Sequence, residues 1–403
     1  MGLCLSLSLS LSLSLSLSLS FCLFLTPTPC QAETIDEVLA LVEKNNITLR
    51  SLAHEQEAQV QDIKAGNALS GPSVEYSPFY KKGYHGTAES ELIVSQEVEF
   101  PTKYIDRNRQ ARLQQTLNGA AYQRRRRDIL LQAQLLCIDI ICLNQRLQML
   151  EQRLQSNQAI RGIYEKRMEA GDANILELNK VKLDLMEVQT QIAESESERV
   201  TLHSQLQQLS GGVSITVDAT EFPQVQMDMD YPTFLELALQ SDADIQEAKA
   251  EVGAQQHEVA VSRKEWLPNL SVGYRRNTEL RDNINGFLVG VSFPLLNTGS
   301  KVKAARQRQL SSELSLQQTQ MEVESSYQAR YQELQNLRRV MDHSDVTMMQ
   351  ETLQLLSKAL QHGEITALQY YTEAGSIYEK LQAHINVHCQ SVKLCAVLHR
   401  NQL

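Results

Sequence analysis

The stretch Pro268–Pro294, PNLSVGYRRNTELRDNINGFLVGVSFP, decides the fold. In its first half Leu270, Val272 and Tyr274 alternate with Asn269, Ser271, Gly273 and Arg275. In its second, Phe287, Val289, Val291 and Phe293 alternate with Gly286, Leu288, Gly290 and Ser292. Successive side chains on a strand point to opposite faces, so this pattern predicts two strands with one continuous apolar face and one small or polar face. A lone hairpin is only marginally stable in water and needs partners. The rest of the chain reads almost entirely as helix.

The 403 residues are 42% apolar and 5% aromatic, with one Trp, and the low Gly and Pro content favours long helices. A net charge of −10 argues against nucleic acid as a partner. Residues 1–32 read as an export signal outside the fold. A Ser-Leu repeat runs into FCLFL, and Cys30-Gln31-Ala32 gives a small-x-small ending with cleavage before Glu33. A cysteine so placed also invites a lipoprotein reading, but Pro29 is a poor match to the small residue that lipidation requires. Cys137, Cys142, Cys389 and Cys395 lie in apolar helical sequence and read as buried free thiols. Outside the signal no segment reaches 18 uninterrupted apolar residues, so no transmembrane helix is expected.

Outward from the hairpin, the chain repeats itself. Helical spacing holds from Thr34 to about Asn67, with a short break expected at Asn45-Asn46. SVEYSPFY and ELIVSQEVEF then read as strands around the polar loop 81–90. A long helix runs from Lys103 to Gly171, and another from Ile175 to Gln208, stopped by Gly211-Gly212. After an irregular linker at 213–230 the order recurs: helix Tyr231–Lys264, the hairpin 268–294, a long helix Lys301–Gln361, a turn at Gly363 and a last helix Thr366–His399. A shift of 196 pairs Leu39 with Leu235, Glu55 with Glu251, Gln59 with Gln255 and Pro72 with Pro268. Phe100-Pro101 meets Phe293-Pro294 at 193, and Gly171 meets Gly363 at 192. The chain therefore divides into a first repeat, 33–212, and a second, 231–403.

The lengths set the geometry. A 70-residue helix spans roughly 100 Å. The two flanking helices of each repeat hold about 34 residues apiece, so stacked end to end they match it. The spacing of Leu143, Leu147, Leu150 and Leu154 suits a coiled-coil seam. Four strands of about 8–10 residues approach the length that crosses a bilayer at a tilt. Lipid tolerates no open strand edge, and the smallest known barrels have eight strands, so the chain must assemble with copies of itself. The polar loops 81–90 and 277–285 would then lie beyond the membrane.

Two repeats of helix, strand pair, helix, glycine turn and helix resemble the TolC-type outer-membrane efflux family across residues 34–400. The most specific elements are YEKRMEAGDANILELNKVKLDL (164–185), similar to the family's tip motif, and Leu-x-x-Leu-Ser-Gly at 206–211. The resemblance implies a mainly α fold with a small membrane β-part: a homotrimer whose four strands per copy close a 12-stranded β-barrel over an α-helical tunnel. It further implies a location in the outer membrane of a Gram-negative bacterium. A periplasmic adaptor and a proton-driven inner-membrane transporter are the implied partners. The short chain and the Phe-Pro junctions are more similar to the heavy-metal efflux branch than to the drug branch. A type I secretion duct and a soluble periplasmic coiled-coil adaptor are the rival readings.

By the same resemblance the glycine tips meet the adaptor, which carries over to Arg167, Gly171, Asp172 and Leu176, and to Gly363, Glu364 and Leu368. A closing aperture is expected just beyond the second tip, at Gln369, Thr372 and Glu373, although the first two stand where carboxylates are often found. Leu270, Val272, Tyr274, Phe287, Val289, Val291 and Phe293 are expected to face lipid. In the last helix His384, His388, Cys395 and His399 fall on one side and are weak metal candidates; ordinary helix packing is the competing reading. Arg124–Arg127 reads as a solvated or intersubunit patch. No phosphate loop, catalytic carboxylate pair or nucleophile elbow is present, so neither an enzyme nor a cofactor is expected.

Overall fold

A computed structural model describes residues 30–31, 34–83, 85–222, 230–279, 282–294 and 298–403. Most of the signal segment lies outside the described residues. In chain order the elements are β1 (Cys30–Gln31), α1 (Ile35–Asn45), α2 (Ile47–Gly66), β2 (Ser73–Phe79), β3 (Glu89–Glu99), α3 (Pro101–Glu169), α4 (Ile175–Leu209) and β4 (Ile215–Thr216). They continue with α5 (Tyr231–Ser241), α6 (Ala243–Lys264), β5 (Asn269–Glu279), β6 (Asn283–Ser292), α7 (Thr298–Asp342), α8 (Val346–His362) and α9 (Ala367–Leu398), closed by a 3-10 turn at Arg400–Gln402.

The long helix of each repeat is covered by two shorter ones that meet at its middle. In the first, Val38, Leu39 and Val42 of α1 and Leu206 of α4 pack together on Leu130, Ala133, Cys137, Ile140 and Ile141 of α3. In the second, Phe234 and Ala238 of α5 and Leu394 and Leu398 of α9 pack on Val323, Tyr327 and Leu334 of α7. The end-to-end stack expected from the helix lengths is therefore present. Leu143, Leu147 and Leu150 are buried as the seam requires. Only α3, among the described helices, is long and apolar enough to cross a membrane; half of its apolar window is buried inside the molecule.

Asn46 breaks the first helix as expected: its Oδ1 accepts from the Leu49 amide at 2.8 Å, and its Nδ2 donates to the Leu209 carbonyl at 2.8 Å. Gly211 completes this joint. Its φ is +67°, and a Cβ would stand 2.3 Å from the Asn45 carbonyl oxygen, so no larger residue fits.

Several expectations are corrected. The helix expected over Tyr231–Lys264 breaks at Asp242, which lies 196 positions after Asn46 and caps α6 through the Asp244 amide at 3.0 Å. The long helix expected over Lys301–Gln361 breaks at His343–Asp345, where the Asp345 carboxylate accepts from the Met348 amide and starts α8 afresh. The polar stretch 277–285 is mostly strand, because Asn277 pairs with Ile284 and Thr278 with Asn283 through backbone that ignores side-chain polarity. Where it is described, the irregular linker 213–230 is held against α3, since Asn144 Nδ2 donates to the Val217 and Ala219 carbonyls, both at 3.0 Å. Cys30–Gln31, expected to lie outside the fold, pairs in parallel with Ile215–Thr216.

The arginine run is corrected most strongly. Arg127 is buried and its guanidinium reaches Asp244 at 3.1 Å, while Arg124 binds Glu247 and Arg126 binds Glu43. Acidic residues on the flanking helices turn the patch into joints. At the centre Asp242 is fully buried, accepting from Arg400 at 2.8 Å and from the Tyr327 hydroxyl at 3.0 Å. Burial alone would raise its pKa, but the Arg400 hydrogen bond and charge, with help from Tyr327 and Arg127, hold it below 3.8. A depressed carboxylate pKa contributes stability above the unfolded value that is lost as pH falls through the folded one. Asp242→Ala leaves Arg400 only its 3.2 Å contact with Asp244 and removes the acceptor of the Tyr327 hydroxyl, and should destabilise the detergent-extracted protein by about 3 kcal/mol at pH 7. That difference from wild type should shrink below pH 4 in denaturant melts.

Candidate functional site

Two places carry chemistry: the sheet and the helix tips. The four long strands form one antiparallel sheet in the order β2-β3-β5-β6. Leu270, Val272 and Tyr274 stand opposite Val291, Val289 and Phe287. Across the other ladder Leu270, Val272 and Tyr274 face Val98, Gln96 and Val94, and Val94 faces Val74 in turn. Register thus extends the apolar face of the hairpin over all four strands. That face is bare: Phe287 is 93% and Val289 77% exposed, and Val74, Tyr76 and Val272 are also uncovered. Phe293 is exposed just past the end of β6. The opposite face carries Glu75, Glu91, Glu97, Ser271, Asn269 and Arg275, with Arg275 ion-paired to Glu91. Among the described residues β2 pairs only with β3 and β6 only with β5, so both edges of the sheet are open.

The two tips use one device. At the end of α3, Gly171 takes φ +80°, and the Asp172 amide returns to the Arg167 carbonyl at 2.8 Å. At the end of α8, Gly363 takes φ +77°, and the Glu364 amide returns to the Ala359 carbonyl at 2.9 Å. A left-handed residue in this position releases the chain from the helix while satisfying its last carbonyls. Capping boxes restart the following helices, Asn174 with Glu177 and Thr366 with Gln369.

Arg167 joins the tips. Its Nη2 donates to the Gln361 carbonyl at 3.2 Å at the C-terminal end of α8, where the helix dipole favours a cation. Its guanidinium also lies over the Tyr164 ring, 5.6 Å from the centroid. Beneath, Ile160, Tyr164, Leu178, Val181, Leu360, Ala367, Tyr370 and Tyr371 form one apolar cluster fed by both repeats. On the outside, Met168, Ile175, Leu176 and Leu368 leave apolar side chains exposed around the turns.

Of the aperture candidates, Gln369 spends its Oε1 on the Thr366 amide at 2.9 Å, and Thr372 bonds back to the Leu368 carbonyl at 2.8 Å. Glu373 is exposed. Sequence reasoning overlooked a buried network further up the same helices. Arg153 Nη2 donates to Asp184 Oδ1 at 2.8 Å, Asn157 Nδ2 to Asp184 Oδ2 at 2.6 Å, and the guanidinium covers the Tyr378 ring at 4.9 Å. Burial raises the pKa of Tyr370, Tyr371 and Tyr378, keeping all three phenols neutral. A signal existed: Arg153 interrupts the apolar seam, and Asp184 falls among buried positions of α4.

The metal candidates do not converge. His384 Nδ1 meets Ser344 Oγ at 3.0 Å, His388 packs edge-on against Phe222, and His399 Nδ1 lies 2.9 Å from the Cys395 carbonyl. Cys395 is buried in the α5–α7–α9 cluster. Among the described residues no group of three or more His, Cys, Asp or Glu could hold a metal ion.

The model of the outer membrane efflux protein family matches residues 38–212 and 234–393. The chain belongs to that family. The two matched blocks coincide with the two repeats. No curated protein sequence matches the chain. Solved structures share its fold. A membrane protein from Pseudomonas aeruginosa is similar at a TM-score of 0.76 and 16% identity, over 91% of this chain and 89% of that one. VceC of Vibrio cholerae gives 0.73 and 14%, over 91% and 95%. CusC gives 0.70 and 17%, over 91% of each chain. This member of the outer membrane efflux family is accordingly placed in the outer membrane, and it shares the fold of CusC and VceC. Family and fold are those of passive channels rather than enzymes.

Arg153→Leu should leave Asp184 buried and uncompensated, destabilising the tip by about 3 kcal/mol. Faster amide exchange across residues 150–190 would report it. Adding Asp184→Leu should restore most of the protection, since removing both charges removes the unpaired one.

Proposed function

We propose that the protein is the exit duct of a tripartite efflux system, a homotrimer that passively conducts metal ions or small toxic compounds. An inner-membrane, proton-driven transporter would deliver the cargo through a periplasmic adaptor. The observation that carries the reading is the bare apolar sheet face bounded by two open edges. In a bilayer that face is covered by lipid, and the edges of β2 and β6 pair with those of neighbouring copies. Strand direction alternates through β2, β3, β5 and β6, so the β6 of one copy can meet the β2 of the next antiparallel without a break in the pattern. Uncovered apolar side chains on the helices, including Leu183, Met186 and Val200 of α4 and Leu310, Leu314 and Met321 of α7, are further surface for the same neighbours.

The tips are where the adaptor would dock. Leu176 and Leu368 are exposed apolar side chains on the first turns of α4 and α9, held beside Asp172 and Glu364 by the paired glycine turns. Arg167 and the glycines would support this surface by fixing both turns against each other. The wide, polar sheet face opposite the lipid suits a passive lumen.

Deleting the gene and measuring sensitivity to panels of transition metals and of small apolar toxicants tests the cargo. Sensitivity should rise for at least one panel and return to normal with the wild-type gene. Leu176→Asp with Leu368→Asp should fail to restore resistance while leaving the trimer intact on unheated gels. Full restoration by the double variant would remove the tips from the docking role.

A further inference from the structure

We infer that Cys142 and Cys389 form an intrachain disulfide that clamps α9 of the second repeat to α3 of the first. The two side chains come together in one small apolar contact between α3 and α9. Cys142 packs at the margin of the small apolar cluster formed by Ile138, Cys389, Val392 and Ala396. Beside them Asp139 of α3 and Lys393 of α9 form an ion pair that fixes the same two helices face to face. The remaining buried thiols sit elsewhere: Cys137 in the cluster beneath α1, and Cys395 in the cluster beneath α5.

The compartment supplies the driving force. In the proposed duct the helical tunnel stands in the periplasm, where thiol pairs in contact are oxidised rather than held reduced. The reaction is exchange with a disulfide donor. The Cys142 thiolate attacks one sulfur of the donor and expels its partner as a thiolate, giving a mixed disulfide. The Cys389 thiol then gives up its proton and attacks the Cys142 sulfur, expelling the second donor thiolate. The protein loses two thiol hydrogens and two electrons, and the donor becomes two thiols. Cys142 is the half-buried member and Cys389 the buried one, which sets the order of attack. The Cys389 hydrogen bond pulls the Cys142 thiol below its ordinary value against the opposing effects of burial and Asp139, and Lys393 and Arg146 assist.

Such a clamp joins positions 247 residues apart and crosses between the repeats. It lies 29 residues before Gly171 and 26 after Gly363, about 40 Å from either turn along the helices. It would fix the upper tunnel wall and leave the tips free to move.

The test uses the full-length protein purified from outer membranes in detergent, and its result does not depend on which cargo is carried. After treatment with oxidised glutathione, blocking of free thiols and denaturation, peptide mapping should show Cys142 joined to Cys389 within one chain. Cys137 and Cys395 should be alkylated. The thermal midpoint should rise on oxidation and fall back with dithiothreitol. Cys142→Ser and Cys389→Ser should each abolish both effects, and Cys137→Ser neither. Alkylation of all four cysteines after the oxidant, or a link that joins two chains, would overturn the inference.

Discussion

A four-stranded sheet with one apolar face and two unpaired edges cannot stand alone in lipid, and much of this molecule follows from that constraint. Each unpaired backbone donor or acceptor left in hydrocarbon costs several kcal/mol, because no water is there to receive it. The strands β3, β5 and β6 are 10 or 11 residues long, enough to cross a bilayer at a tilt, and β2 is shorter at 7. The apolar face is assembled from both repeats, since β3 of the first pairs along its whole length with β5 of the second. Duplication and membrane insertion are thus tied together. Neither hairpin builds the apolar face without the other, and the proposed closure needs only one more ladder per chain, each shared between neighbouring copies.

Below the sheet the duplicated helices solve one packing problem twice with different chemistry. Each long helix is covered by two shorter ones that meet at its midpoint, and the meeting point needs a joint. In the first repeat the joint is neutral: Asn46 caps α2 and donates to the Leu209 carbonyl beside Gly211. In the second it is ionic: Asp242 caps α6 and accepts from Arg400, Tyr327 and, at longer range, Arg127. The neutral joint avoids the desolvation cost of a buried charge, whereas the ionic one offsets it with several donors. At the opposite end the tips repeat a single solution, and Arg167 binds them into one unit.

The architecture was legible because it rests on periodicities. Alternation in 268–294 gave the strands, and the common spacing of Pro, Phe-Pro and Gly landmarks gave the repeat and the antiparallel stack. What escaped reading was local competition with those periodicities. The break at Asp242 was available from Asn46 by the same shift of 196, but its flanking residues keep helical spacing. The break at His343–Asp345 has no counterpart in α3, so the repeat pointed the wrong way. The arginine run looked solvated because its acidic partners lie about 80 and 120 residues away in sequence. Arg153 and Asp184 were missed for the same reason, as was the contact of Cys142 with Cys389. Long-range polar pairs leave no periodic trace, and they carry most of what distinguishes one position from another at the tips and joints.

Open sheet edges make assembly obligatory. Native mass spectrometry of the protein extracted from outer membranes in mild detergent tests it most directly. One dominant species should appear at three times the mass of the mature chain and persist on dilution. A monodisperse single chain that remains folded under the same conditions would contradict it.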